Sequence, residues 1–315
     1  MEITGLASYA IFTVTLIGIF AILALGLNMQ WGYTGMLNIG VAGFFAVGAY
    51  TTALLTSPQS EVHVGGFGLP FLIGALGAIA VAGVVAFLIG LITLNLRSDY
   101  LAIATIGIAE IIRLFLKTEA WLTNGVRGIA GIPRPVSGIA EGADELLFML
   151  LVFAFVGLIY YIIERSYVSP WGRVLRAIRE REPATLAAGK NVLNFRLQAF
   201  AIGAMAMGLA GALYAHFVTF ISPEAFRPEF ATFLIWVMLI AGGSGNNRGA
   251  LLGTFVIWLV WSGTEFLTGQ LPDGWATRAG ALRVLLIGVL LQIILITRPQ
   301  GLLPERPPPV PGARE

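Results

Sequence analysis

The stretch from Leu69 to Leu96, LPFLIGALGAIAVAGVVAFLIGLITLNL, carries no formal charge and decides the fold class. A helix needs about 20 mostly apolar residues to cross the hydrocarbon core of a bilayer, and this run is longer. Within it Gly74, Ala78, Ala82, Ala86 and Gly90 recur every four positions. That spacing predicts a helix with small side chains on one face. Helices in lipid associate through such strips because their backbones can approach closely. The strip reads either as plain bundle packing or as a seam that can slide.

The rest of the chain has the same character. Between Ile3 and Leu96 the only formal charge is Glu61, and no Lys or Arg precedes Arg97. Of the 315 residues 57% are hydrophobic and 11% charged, against about 25% charged in a typical soluble domain. The mean hydropathy is +0.85. This excludes an ordinary soluble domain, a disordered chain and a nucleic-acid binder. The expectation is an all-α polytopic membrane helical bundle of about 8–10 transmembrane segments, some of them Gly-rich broken or re-entrant helices. Candidate segments lie near 8–27, 36–55, 69–96, 100–117, 145–163, 196–220, 230–242, 249–267 and 280–297. Residues 1–303 form one domain, and the Pro-rich stretch 304–315 reads as a disordered tail. The first apolar run lacks a basic flank and continues for about a full span, so it reads as a span rather than a cleaved leader. With no Cys, disulfides and thiolate chemistry are excluded, and no His-Glu zinc pattern suggests a metal.

Orientation follows from basic residues in short connections. The 164–196 connection holds Arg165, Arg173, Arg176, Arg179, Arg181, Lys190 and Arg196, which predicts that it and the C-terminus are cytoplasmic. Counting back places the N-terminus outside, and one re-entrant segment would reverse it. Inside this connection Ser169–Pro170 is a helix start, with Ser as cap and Pro at the first helical position. Val174, Leu175 and Ile178 fall on one side and Arg173, Arg176 and Arg179 on the rest, an amphipathic helix suited to a membrane surface. Pro183 should break it and start a stub through Ala184, Thr185, Leu186, Ala187 and Ala188, stopped by Gly189. An apolar stub on a charged loop suits docking onto another protein or lying on lipid.

The run from Arg179 through Glu182 and Ala184 to Gly189 resembles the cytoplasmic coupling segment of ABC-importer permeases. Other blocks narrow the resemblance to branched-chain amino acid importer permeases of the LivM type. They are Tyr33–Gly40 with Phe44–Phe45 and Gly48–Tyr50, Arg97–Gly107 with Glu110–Arg113, Thr123–Pro133, Gly208–Tyr214, Gly242–Gly245 and Arg298–Leu302. They run from about residue 25 to 303 in the family's order. Two positions depart from the pattern, Val41 where His is common and Asn124 within the Thr-Gly-Gly start.

The resemblance implies a permease in the bacterial-type cytoplasmic (inner) membrane. It would pair with a second homologous permease, with two cytoplasmic ATPases on the coupling segments and a periplasmic or extracellular binding protein delivering substrate. Urea or a short amide is the nearest alternative cargo. No Walker A pattern occurs: the nearest match has Ala184 at the first Gly position and Asn191 after Lys190. The chain should therefore bind no cofactor, with ATP and Mg on the partners. The coupling residues would be Arg176, Arg179, Glu182, Ala184, Leu186, Ala187, Ala188 and Gly189.

Polar residues at membrane depth are the remaining candidates, since a charge there costs about 2.5–3.5 kcal/mol on insertion scales. Glu110 and Arg113 are three apart and can pair, as a gate, a zwitterion site or a structural ion pair. Asn28, Gln30, Asn38, Gln198 and Gln292 either line a polar path or bond across helices. The substrate-path candidates are Asn28, Asn38, Gly40, Phe44, Tyr100, Thr105, Glu110 and Arg113. His216 reads as a structural His. A lone ion-coupled transporter would need Glu110 or Glu265 as its coupling acid.

Overall fold

The computed structural model describes residues 2–60, 63–136, 143–268 and 276–305. The helices are α1 (Glu2–Leu27), α2 (Val41–Thr56), α3 (Phe71–Thr93), α4 (Ser98–Thr118), α5 (Ala120–Thr123), α6 (Asp144–Val168), α7 (Pro170–Ala187), α8 (Val192–Val218), α9 (Pro228–Ala231), α10 (Phe233–Gly242), α11 (Asn247–Thr268) and α12 (Ala276–Thr297). One two-residue ribbon pairs β1 (Ile129–Ala130) with β2 (Phe220–Ile221), antiparallel.

Among the described residues five helices are long and apolar enough to span, within Ala7–Gly32, Phe71–Thr93, Asp144–Val168, Val192–Val218 and Gly280–Thr297. Segment 36–55 is not a full span. Its first residues, 35–40, are non-helical, and α2 has 16 residues. Segment 230–242 resolves into the single turn α9 and the 10-residue α10.

Helix α8 is the axis of the bundle. Most of it is buried, from Leu197 to Phe217. The small strip on α3 packs against α8 and α2. Ala78, Ala82 and Ala86 have no exposed surface, while Leu72, Leu76, Val84, Leu88 and Ile92 on the other face are exposed. A polar-free outer face of this kind suits hydrocarbon. A Cβ on Gly208 would lie 2.5 Å from the Cβ of Ala82, so Gly208 sets how closely α3 and α8 approach. Helix α1 runs antiparallel to α8: Gly26 meets Gly203, and Phe12 stacks 5.0 Å from Phe217. Helices α10 and α11 form a hairpin in which Gly242 rests against the backbone of Gly249 and Gly253. Gly243, at φ 115°, turns the chain between them in a conformation open to Gly alone.

The break between α1 and α2 is held by hydrogen bonds from both backbone and side chains. Helix α1 widens into a π-turn over Asn28–Gly32, a geometry that recurs at functional sites. Beyond it, Asn38 Nδ2 donates to Gln30 Oε1 (2.7 Å), Gly40 N to Asn38 Oδ1 (2.8 Å), Ile39 N to Thr105 Oγ1 (3.0 Å) and Trp236 Nε1 to the Asn38 carbonyl (3.0 Å). Non-helical backbone survives at membrane depth when protein groups satisfy it in this way.

Tyr50 packs against Phe226 with its hydroxyl buried and without a partner among the described residues. A buried orphan hydroxyl costs about 1–3 kcal/mol. Tyr50→Phe is therefore expected to leave the melting temperature in mild detergent unchanged or to raise it. A drop of several degrees would show that the hydroxyl is bonded.

Candidate functional site

The 164–196 connection forms the candidate coupling site at one end of the bundle. Ser169 caps α7, its Oγ accepting from Gly172 N (3.2 Å) with Pro170 next. The apolar side packs inward, with Leu175 and Ile178 buried. Helical geometry fails at Arg181 (φ −149°, ψ 83°), in the turn before Pro183, whose ring crowds that turn and which has no N–H to donate into it. The stub that follows closes with Gly189 at φ 75°, its N–H donating to the Leu186 carbonyl (2.9 Å). Ala184, Leu186, Ala187, Ala188 and Gly189 are all exposed, Leu186 at 53%. Only Thr185 turns in. Glu182 fixes the base of the stub, accepting from Arg196 at 3.1 and 2.8 Å. A rigid, solvated knob thus presents one leucine among small residues.

Two of the expected surface cations point the other way. Arg176 is buried, donating to the Tyr167 carbonyl (2.8 Å) with its guanidinium 4.1 Å from the centre of the Tyr167 ring. Arg179 donates from Nη1 to the Gly32 carbonyl and from Nη2 to both carboxylate oxygens of Glu305, at 3.0 and 2.8 Å. The amphipathic reading of α7 is corrected on this point. Arg176 and Arg179 are internal ties, because the carbonyls of Tyr167 and Gly32 and the carboxylate of Glu305 attract planar donors.

The strap corrects the tail as well. Leu302 N and Leu303 N donate to the Ala241 and Gly242 carbonyls, both at 2.9 Å, closing the C-terminus of α10. Pro304 and Glu305, expected to be disordered, are therefore docked, with Asn246 Nδ2 on the Pro304 carbonyl (3.0 Å). Residues 306–315 lie outside the described residues.

Beside this junction Asn247 Oδ1 accepts from Asn28 Nδ2 and from the Tyr33 hydroxyl, both at 2.9 Å, and Asn247 Nδ2 donates to Glu164 (2.7 Å). Asn28 Oδ1 accepts from Gly245 N (2.8 Å). Tyr33, Glu164, Tyr167 and Asn247 border a cavity of about 380 Å³. Of the two readings of these positions, the hydrogen bonds at Asn28, Asn38, Gly40 and Thr105 are those of cross-helix ties. Their polar atoms bond α1, α4, α10 and the α10–α11 turn to one another. Phe44 is core, edge-on to Phe200 at 5.6 Å, and Tyr100 is 60% exposed. Gln30 donates to the Phe200 carbonyl (2.8 Å), Gln198 accepts from Trp171 (2.7 Å), and Gln292 is exposed. His216 is satisfied, its Nδ1 donating to the Pro133 carbonyl (2.6 Å) and its Nε2 accepting from Thr52 (3.0 Å). The side chain of Glu265 lies outside the described residues. No group of three metal-ligating side chains occurs among the described residues.

At the opposite end Arg113 grips Glu110 through Nε (2.9 Å) and Nη2, and reaches Glu224 at 3.4 Å. Lys117 is 3.2 Å from Glu224, and Arg227 closes the cluster. The Glu110–Arg113 pair is therefore part of a five-residue ion network. Sequence reading missed Glu224, which lies far along the chain in the turn Pro223–Phe226. The Arg227 and Lys117 donors hold the Glu224 carboxyl below its usual range near 4.5. A depressed carboxylate stabilises the fold above its unfolded value and loses that effect as pH falls through its folded value. Acidification from about pH 6 to about pH 3 is thus expected to lower the melting temperature, with a smaller decline in Glu224→Gln. Equal slopes in the two proteins would show that the network contributes nothing.

Residues 9–295 match the family described as branched-chain amino acid transport system / permease component. The chain belongs to this family. It is 33% identical to the high-affinity branched-chain amino acid transport system permease protein LivM of Escherichia coli (strain K12), over 93% of this chain and 70% of that protein. It is 30% identical to the probable branched-chain amino acid transport permease protein LivM of Methanocaldococcus jannaschii, over 92% of each. The permease protein LivH of Salmonella typhimurium is 23% identical, over 92% of each. No solved structure matches the fold. The permease is a multi-pass membrane protein, in which Arg179 of α7 ties to Glu305 of the strap and Glu182, at the base of the knob, to Arg196 of α8.

Proposed function

We propose that this permease is the non-catalytic membrane subunit of an ABC importer that carries branched-chain amino acids into the cell. It works beside a second homologous permease in a cytoplasmic membrane. Two ATPase subunits holding ATP and Mg seat on the two coupling segments, and a binding protein delivers substrate at the other end. The 164–196 connection and the C-terminus then lie in the cytoplasm, which the basic residues of the connection favour. The observation that carries the reading is the exposed stub 184–189, clamped at its base by Glu182–Arg196, within a chain that matches the permease family from residue 9 to 295. A knob of small residues around one leucine fits a shallow groove on a partner. The ion-coupled alternative loses support because Glu110 is already neutralised by Arg113.

Affinity purification from native membranes in mild detergent, followed by mass spectrometry, tests the assembly. Two ATPases and a second permease in near-stoichiometric amounts are expected. A subunit that purifies without an ATPase would overturn the reading. Uptake by the reconstituted complex then separates leucine, isoleucine and valine from urea and short amides.

A further inference from the structure

The cavity of about 380 Å³ beside Asn247 is lined by Tyr33, Glu164, Tyr167, Asn246, Asn247 and Arg248, with the strap at its edge. Most of its polar groups are already committed. Both ends of the Asn247 amide are bonded, Oδ1 to Asn28 and Tyr33 and Nδ2 to Glu164. Asn246 Nδ2 donates to the Pro304 carbonyl, and its Oδ1 accepts from Arg248 N (3.0 Å). The Tyr167 hydroxyl donates to Glu305 (3.3 Å).

Two charged groups are left over. Glu164 engages only Oε2, with Asn247, so its Oε1 has no partner among the described residues. Arg248 is exposed and forms no ion pair among the described residues. Its Nε rests on the Tyr160 hydroxyl at 3.4 Å, which leaves both Nη groups open. A bare anion here would meet the charge of Glu164, and a bare cation the charge of Arg248. A zwitterion satisfies both, through two charge-assisted contacts of opposite sense.

The depth of the cavity decides which zwitterion. Glu164 lies one turn before the end of the spanning helix α6 at Val168, so the mouth sits where hydrocarbon gives way to headgroups. Helix α11 starts at the same level, and Phe255 and Leu259, about two and three turns on from Arg248 along one face, are exposed. On α6 Phe153 is exposed about two turns from Tyr160. The charged mouth therefore opens onto apolar helix surface. A free amino acid would use the mouth and leave that surface unused, whereas a lipid uses both. We propose that this cavity seats the headgroup of a phospholipid with a primary amine, phosphatidylethanolamine, its ammonium on Glu164, its phosphate on Arg248 and its acyl chains along α6 and α11. Bound there, the lipid joins the end of α6 to the start of α11. The site does not depend on which substrate the permease carries.

The test is native mass spectrometry of the permease, with its copurifying subunits, delipidated in mild detergent and loaded with equal amounts of phosphatidylethanolamine, phosphatidylcholine and phosphatidylglycerol. The wild type is expected to retain one phosphatidylethanolamine about tenfold better than either of the others. A quaternary ammonium cannot donate a hydrogen bond, and a glycerol headgroup brings no cation to Glu164. Glu164→Gln, which keeps an acceptor for Asn247, should lose the preference over phosphatidylglycerol. Arg248→Gln should lose the bound lipid. Phosphatidylethanolamine should also raise the melting temperature of the delipidated wild type and leave that of Arg248→Gln unchanged.

Equal retention of the three lipids by the wild type would overturn the proposal without recourse to any variant. Retention that neither substitution alters would place the lipid elsewhere and overturn it as well. Displacement of the lipid by free leucine or glycine would assign the cavity to a soluble amino acid instead.

Discussion

Leu186→Ala is expected to leave the permease folded and to cut ATP-driven uptake by about tenfold or more, because a single apolar anchor at an interface centre carries about 2 kcal/mol or more. The side chain is 53% exposed and makes no internal hydrogen bond, so its loss in the isolated subunit should fall within about 0.5 kcal/mol. Melting temperature and copurified ATPase are the paired measurements. A folded variant that keeps its ATPases and its uptake would remove Leu186 from the contact. Replacement of Ala187 by a bulky residue should act similarly by holding the groove off the knob, whereas Arg173→Ala, at an exposed cation on the other part of α7, should have little effect.

Arg179→Ala should behave differently. Its guanidinium is 25% exposed and ties three elements: the end of the π-turn at Gly32, helix α7 and the strap at Glu305. Truncation leaves the Glu305 carboxylate and the Gly32 carbonyl without that donor. The loss for a fully buried pair is about 3–5 kcal/mol, and solvent screening at this exposure reduces it to about 1–2 kcal/mol. Both stability and coupling are expected to fall. Arg179→Lys should recover only part, since an ammonium cannot bridge a carboxylate bidentately and reach the carbonyl as well. A double-mutant cycle with Glu305→Ala should show that the two losses are not additive. Additive losses would mean that the pair contributes no coupling. The same guanidinium touches the start of the break between α1 and α2 through the Gly32 carbonyl.

Much of the architecture was legible in residue order alone. The uncharged run 69–96 dictated a spanning helix, because hydrocarbon solvates no charge cheaply and a helix satisfies its own backbone. A small residue at every fourth position, Gly74 through Ala78, Ala82 and Ala86 to Gly90, announced which face of α3 would be buried, since that period is close to the helix turn. Ser169, Pro170, Pro183 and Gly189 marked the start, kink and end of α7 and its stub, as each acts on its own backbone. The ordered blocks identified the family.

The tertiary structure decided the rest, and the reason is range. Arg179 and Glu305 are 126 positions apart, and Arg113 and Glu224 are 111 apart. Nothing local tells a cation whether it will meet water, a lipid headgroup or a carboxylate brought from elsewhere in the chain. For the same reason the sequence left Asn28 and Asn38 as either path-lining or cross-helix amides, and folding brings them to Asn247 and Gln30. A cavity lined by Phe20, Phe45, Tyr214 and Trp258 likewise arises only when α1, α2, α8 and α11 meet, because none of these helices encloses a space by itself. Sequence determined which segments enter the membrane and where their helices stop; long-range packing determined which of their polar groups became bonds and which apolar surfaces stayed open.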